Sequence, residues 1–300
     1  MRLFLMAAFA IALVPSAAHA SPAGHRSTAA PAAEISDTDH YSTATSLTND
    51  TERKSVTVTC PADQIVYGFG GATVGSDGQV ALTAIAPNEE LTSVTAVAQA
   101  RGGWAGAWSV MAVASCWPPG NHALQRVVTA GTFNGARAEC PGQKILYSDG
   151  YRVSSRTGTP FVDAVVPAPD QSSVFVHGGG VPAADLTVEA VALCGYRIDG
   201  PYFYFRARTQ TTVPVSAATT TTAIAPLPQY TFGQPWIFGA GATSTRAGMF
   251  IDALGPGPGL TGGLARMSNG STAAAKNMAA GATQDDDSMT TYGICIGTWY

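Results

Sequence analysis

The chain has 300 residues, of which 46% are hydrophobic and only 12% charged, and its formal charge is −4. Ordinary domains carry about 25% charged residues, and no basic patch forms anywhere along this one, which excludes nucleic acid as a natural partner. Intrinsic disorder of the whole chain is excluded too, because such segments are poorer in apolar residues.

At the N-terminus Arg2 precedes an apolar run from Leu3 to Val14, then Pro15 and the small-x-small triplet Ala18-His19-Ala20. This pattern predicts a secretory signal peptide over residues 1–20. The run is too short for the ~20 apolar residues that span a bilayer, and no later run is long enough. The expectation is therefore a secreted chain, extracellular or periplasmic, of 280 residues after cleavage behind Ala20. Residues 21–50, rich in Ser, Thr, Ala and Pro, read as a flexible leader.

From residue 51 onward the chain repeats itself. "CPADQIVYGFG" from Cys60 returns as "CPGQKILYSDG" from Cys140 and, without its cysteine, as "TFGQPWIFGAG" from Thr231. Gly70, Gly150 and Gly241 stand at the same place behind each head. "TAIAP" (Thr83–Pro87), "DAVVP" (Asp163–Pro167) and "DALGP" (Asp252–Pro256) follow, and each copy closes on a strand-like segment carrying Cys116, Cys194 or Cys295. Such recurrence means one supersecondary unit used three times, with repeats at about 51–120, 121–200 and 201–300.

Within the units, "SVTVTC", "VALTAIAP", "TSVTAVAQA" and "WSVMAVASC" alternate or run β-branched between Gly, Pro and Asn punctuation. That is the strand signature, and no segment shows a convincing helical period. The fold class predicted is all-β: a pseudo-three-fold repeat of antiparallel sheets, prism-like, in one domain over 51–300. Three tandem small β-sandwiches are the alternative. Thr209–Pro228 reads as an irregular hairpin.

Export implies an oxidising compartment, and the repeat register pairs Cys60 with Cys116 and Cys140 with Cys194. Closing loops of this length would stabilise by about 4 kcal/mol each on the chain-entropy view. Cys295 is left over, a buried relic of a third bridge or, on the competing reading, a reactive thiol. No zinc-type Cys or His spacing exists, so neither a metal nor another cofactor is expected.

A Cys-Pro head, a Gly-x-Gly shortly after it and a closing strand with cysteine, used three times, resembles the vitelline membrane outer layer protein I family. The resemblance covers most of residues 50–300. It implies a β-prism of three sheets in a secreted, disulfide-tied, envelope-associated protein that binds saccharide. It supplies no catalytic residue. The third copy departs from it by having Thr231 in place of Cys and a longer insert between Met267 and Ser288.

The candidate ligand-binding residues are aromatic. "RGGWAGAW" sets Trp104 and Trp108 on a glycine-rich turn, where an exposed indole stacks on a sugar face; burial in a core of small residues is the competing reading. "PYFYFRAR" alternates Tyr202 and Tyr204 with Phe203 and Phe205, so one face could extend an aromatic strip. "HGGG" (His177–Gly180) lacks the G-x-S-x-G elbow of an α/β-hydrolase and reads as a polar turn. "GPGLTG" from Gly257 lacks a βαβ context. Asp285–Asp287 reads as a solvated acidic turn rather than a calcium loop. Asp163 and Asp252 occupy equivalent positions, which three-fold symmetry keeps too far apart for a glycosidase pair. His40, His122 and His177 lie in unrelated polar contexts. The function expected is a secreted non-enzymatic binding or structural protein, lectin-like, with a glycan or envelope polymer as partner. An exported polymer hydrolase is the competing class.

Overall fold

The structure, a computed structural model, describes residues 40–102, 104–196, 203–215, 220–226, 234–246, 248–256, 262–269 and 287–299. Residues 21–39 of the leader, the Met267–Ser288 insert apart from its ends, and Gly257–Thr261 lie outside these residues; the end of the leader, read from the sequence as flexible, instead carries a strand, Tyr41–Thr45, paired with Met111–Ser115. Strand alternation is visible directly in burial: "RKSVTVT" (Arg53–Thr59) reads exposed and buried in turn along its length, as a half-buried strand must. "IVYGFGGATV" (Ile65–Val74) is buried at six consecutive positions, Val66–Gly71, which marks a strand covered on both faces.

Each repeat contributes six strands. The first holds β1 (Tyr41–Thr45), β2 (Arg53–Thr59), β3 (Ile65–Val74), β4 (Val80–Pro87), β5 (Ser93–Ala100) and β6 (Ser109–Trp117). The second holds β7 (Gln125–Gly131), β8 (Ala136–Glu139), β9 (Ile145–Ser155), β10 (Phe161–Pro167), β11 (Ser173–Gly179) and β12 (Leu186–Gly195). The third holds β13 (Phe203–Pro214), β14 (Thr220–Pro226), β15 (Gln234–Ser244), β16 (Met249–Pro256), β17 (Gly262–Asn269) and β18 (Ser288–Trp299). Thr209–Pro228 is therefore not a hairpin: β13 and β14 join different sheets, so no ladder links them.

These strands form three six-stranded antiparallel sheets, ordered β1-β6-β3-β16-β17-β14, β7-β12-β9-β4-β5-β2 and β13-β18-β15-β10-β11-β8. Every sheet takes three strands from one repeat and three from another. Within a repeat the two half-sheets also pack face to face, β2 and β5 against β6, β3 against β4 and β5. The repeats thus have the layered character of sandwiches, yet none owns a complete sheet. The result is a closed pseudo-three-fold all-β body.

Sheets pass from repeat to repeat over very short ladders: Gly71 and Ala72 against Leu254 and Ala253, Tyr151 and Arg152 against Ile85 and Ala84, Ala242 and Thr243 against Val165 and Ala164. Beside each ladder stands one of the three equivalent glycines. A Cβ on Gly70 would lie 2.5 Å from the Leu254 carbonyl oxygen, on Gly150 2.3 Å from that of Ile85, and on Gly241 2.3 Å from that of Val165. Any side chain there would push the two backbones apart.

β3, β9 and β15 meet around the pseudo-axis. Their ladders slip by one residue at Tyr67, Tyr147 and Phe238, each the seventh residue after its head. These bulges turn the three rings toward one another, with centroids 6.2, 6.1 and 6.3 Å apart. The tyrosine hydroxyls find polar partners at the rim: Tyr67 accepts from the Gly120 N–H at 3.0 Å, and Tyr147 lies 2.7 Å from His122 Nδ1.

The two disulfides are Cys60–Cys116 and Cys140–Cys194, with Cα atoms 5.6 and 5.4 Å apart. Each joins the head of a unit to its closing strand. Cys295 is a buried free thiol, opposite Ile237 in the register that places Cys116 opposite Val66 and Cys194 opposite Leu146. Burial pushes its pKa up to about 11, which suppresses the thiolate and its reactivity. No helix among the described residues is long and apolar enough to cross a membrane.

Two places behind Tyr147 the axis carries an anomaly. Asp149, equivalent to Phe69 and Ala240, is 1% exposed, and neither carboxylate oxygen makes a regular hydrogen bond. Burial pushes its pKa up to about 8, although the nearby N–H groups of Asp149 and Ala240 pull in the opposite direction. A carboxyl near 8 when folded and near ~4 when unfolded binds more protons in the native state, so stability falls as pH rises through that window. Replacing it removes the fall. The stability advantage of Asp149→Asn over the parent, from urea unfolding at a series of pH values, should grow between pH 5 and 8 by up to about 1.4 kcal/mol per unit. A pH-independent difference would show that Asp149 is ionised and solvated in the folded chain.

Candidate functional site

Trp108 is fully buried and is no platform for a sugar. Its ring sits under the Lys54 ammonium at 4.3 Å. That ammonium donates to the carbonyls of Asn49 at 2.8 Å, of Leu47 at 3.2 Å and of Trp108 itself. Lys54 comes from β2, fifty-four residues away, so nothing in the glycine-rich turn itself announces the burial. Trp104 is partly buried against the core, its ring pressed so closely on Gly106 that a Cβ there would meet Cζ2 at 2.1 Å. Tyr202 lies outside the described residues, and Tyr204 is placed by its backbone alone, in β13 opposite Thr298.

The structure brings together residues that carried only weak signals in the sequence. β4, β10 and β16 each contain a β-bulge, at Thr83, Asp163 and Asp252, the first residues of "TAIAP", "DAVVP" and "DALGP". A bulge re-aims its side chain, here toward the residue fourteen places later on the next strand. Thr83 donates its hydroxyl to the Val97 carbonyl at 3.2 Å. Asp163 Oδ1 lies 2.7 Å from His177 Nδ1. Asp252 accepts from Arg266 Nε at 2.8 Å and from the Ser268 hydroxyl at 2.6 Å. His177 therefore stands within β11, not in a polar turn.

Two of these bulges open onto cavities where neighbouring repeats meet. Between the second and third repeats, a cavity of about 230 Å³ is lined by Asp163, His177, Thr243, Ser244, Thr245 and Arg246 among others. Between the third and first, a smaller one of about 130 Å³ is lined by Asp252, Arg266 and the turn Gly75–Gly78. The two are pseudo-equivalent: each joins a bulge acid and its cross-strand partner to the turn that ends β15 or β3.

Their electrostatics differ. Asp252 is 1% exposed; burial pushes its carboxyl up, and the Arg266 charge with the bonds from Ser268 and Arg266 pulls it back. Asp163 and His177 keep side-chain exposures of 33% and 40% and face solvent through the cavity. Around them the hydroxyls of the turn are already engaged: Ser244 donates to the Ser288 carbonyl at 3.1 Å, and Thr245 accepts the Ser288 N–H at 2.8 Å. Arg246 Nε lies 3.8 Å from Asp287, the last of the three consecutive acids and the one among the described residues. Among those residues no group of three His, Cys, Asp or Glu side chains is arranged to hold a metal.

No family model matches the chain, and no curated protein matches it.

The buried indole gives a direct test of the placement of Trp108. Trp108→Ala should lower stability by about 3–5 kcal/mol, the range for large buried aromatics, while Trp104→Ala costs less. Calorimetry decides the matter, and an unchanged midpoint for Trp108→Ala would return that residue to the surface.

Proposed function

We propose that the chain is an exported, non-enzymatic binding protein whose ligand is a saccharide, taken up in the cavity between the second and third repeats. The observation that carries the reading is the lining of that cavity. It presents a partly exposed carboxylate, an imidazole, a guanidinium and three hydroxyl-bearing residues. A polyol offers one donor and two acceptor lone pairs at every hydroxyl, and a mixed polar lining can answer both. The volume is below the roughly 300–1,000 Å³ of sites for drug-sized ligands and suits a single sugar ring. Two disulfides and the N-terminal apolar run support export. The resemblance to the vitelline membrane outer layer protein I family, built on the Cys-Pro heads, points the same way. Binding is thereby moved from the tryptophans to the bulge of β10.

One observation favours a second reading, an exported polymer hydrolase. Asp163 hydrogen-bonded to His177 is the arrangement that orients a general base. A nucleophile is what this reading lacks, because Ser244 and Thr245 direct their hydroxyls to Ser288; the base would have to activate water.

A glycan array probed with the parent, Asp163→Asn and His177→Ala separates these readings when run beside a hydrolase screen. Binding is expected for the parent and a loss of tenfold or more for each variant. Equal binding by all three would move the site elsewhere. Turnover that disappears with His177→Ala would establish the hydrolase.

A further inference from the structure

The smaller cavity is filled from within the chain. Between the third and first repeats, the Arg266 guanidinium lies in the bulge of β16. It donates to Asp252 through Nε, and through Nη2 to the carbonyl and hydroxyl of Thr73 on the neighbouring repeat. Ser268 completes the cradle by donating to the other oxygen of Asp252. Arg266 is thus a cationic donor supplied by the protein itself, clamped between two repeats.

Superimposing the repeat register places Asp163 at Asp252, Ser244 at Thr73, Gly179 at Ser268 and His177 at Arg266. The cradle is retained, but the group that fills it is not. An imidazole is shorter than an arginine side chain, and the cavity is correspondingly larger, about 230 Å³ against 130 Å³. With glycine in place of Ser268, Asp163 Oδ2 receives no hydrogen bond among the described residues. Arg246, the other cation at the rim, is answered by Asp287 at 3.8 Å. What remains is a carboxylate whose one side-chain partner among the described residues is His177, facing a space that a guanidinium occupies elsewhere in the same molecule.

From this internal comparison we infer that the cavity takes a cationic hydrogen-bond donor, and specifically the free ammonium group of an amino sugar. The inference rests on the saccharide reading, because Thr243 and the rim of the turn offer a polyol surface around the carboxylate. The ammonium bonds to Asp163 Oδ2, an ion pair with hydrogen bonding of the stronger charge-assisted kind. The third junction, with Thr83 and Val97 in these places, has no acid at its bulge and takes no such ligand there. Each chain therefore carries one site.

Isothermal titration with a β-1,4-linked glucosamine tetramer and its fully N-acetylated counterpart tests this at one pH and moderate salt. We expect the ammonium-bearing tetramer to bind at least tenfold more tightly, with one site per chain, and Asp163→Asn to erase that preference. His177→Arg should supply the missing guanidinium from within and abolish binding while leaving the thermal midpoint at or above that of the parent. Equal or tighter binding of the N-acetylated tetramer would overturn the inference and leave the saccharide reading standing. Failure of both tetramers, and of neutral glycans, would remove both. Binding of a Gly-Arg-Gly peptide in place of either tetramer would show a cation site made for protein rather than sugar, and would overturn the amino-sugar assignment.

Discussion

The architecture depends on the close approach of two backbones at three places. Where β3 meets β16, β9 meets β4 and β15 meets β10, the paired strands run side by side for only two residues. Gly70, Gly150 and Gly241 remove the side chains that would otherwise strike a facing carbonyl. Such short ladders contribute few hydrogen bonds of their own. They matter because they make half-sheets continuous, so that no repeat has to leave its innermost strands as open edges, which invite aggregation. The three bulges at Tyr67, Tyr147 and Phe238 depend on this arrangement, since their rings meet only if β3, β9 and β15 stand around one axis.

Much of this was legible in the sequence, and the reason is physical. A glycine that must be a glycine recurs at fixed spacing, and so does a cysteine that must lie beside another. The heads, Gly70, Gly150 and Gly241, and the disulfide register could therefore be read from spacing alone. What spacing could not reveal is which repeat a strand pairs with: the apolar run of β4 is the same whether its partner is β3 or β9. Burial by distant partners was equally invisible. Trp108 reads from its glycine-rich neighbours as either a sugar platform or a core residue, and the structure buries it in the core with Lys54 from another strand over its ring. The candidate site was half legible. Asp163 and Asp252 stood out as equivalent, but the fourteen-residue step to His177 and Arg266 becomes meaningful only once a bulge is known to aim the acid across the strand.

Departures from three-fold symmetry are where function has room to reside. At the axis, Phe69 and Ala240 are apolar while Asp149 is an acid without regular hydrogen bonds. At the junctions, one bulge is a neutral Thr83, one an Asp252 locked by Arg266, and one an Asp163 left open beside His177. The scaffold tolerates all three because the glycine contacts and the packed half-sheets, rather than the bulge side chains, hold the junctions together. A site could thus open at one junction without loosening the others. The missing third disulfide follows the same logic: Cys295 remains in its place, free and buried, and the third repeat is held by sheets it shares with its neighbours.

The claim that the repeats are inseparable is tested most directly by making the second repeat alone, residues 121–200 with Cys140 and Cys194 oxidised, and following its unfolding in urea by circular dichroism. Cut at β9 and β10, this fragment keeps both half-sheets and its disulfide but loses every junction. The account predicts no cooperatively unfolding monomer. A monomeric fragment that unfolds in one sharp transition would show that each repeat is a domain in its own right and that the shared sheets are a consequence of folding rather than its basis.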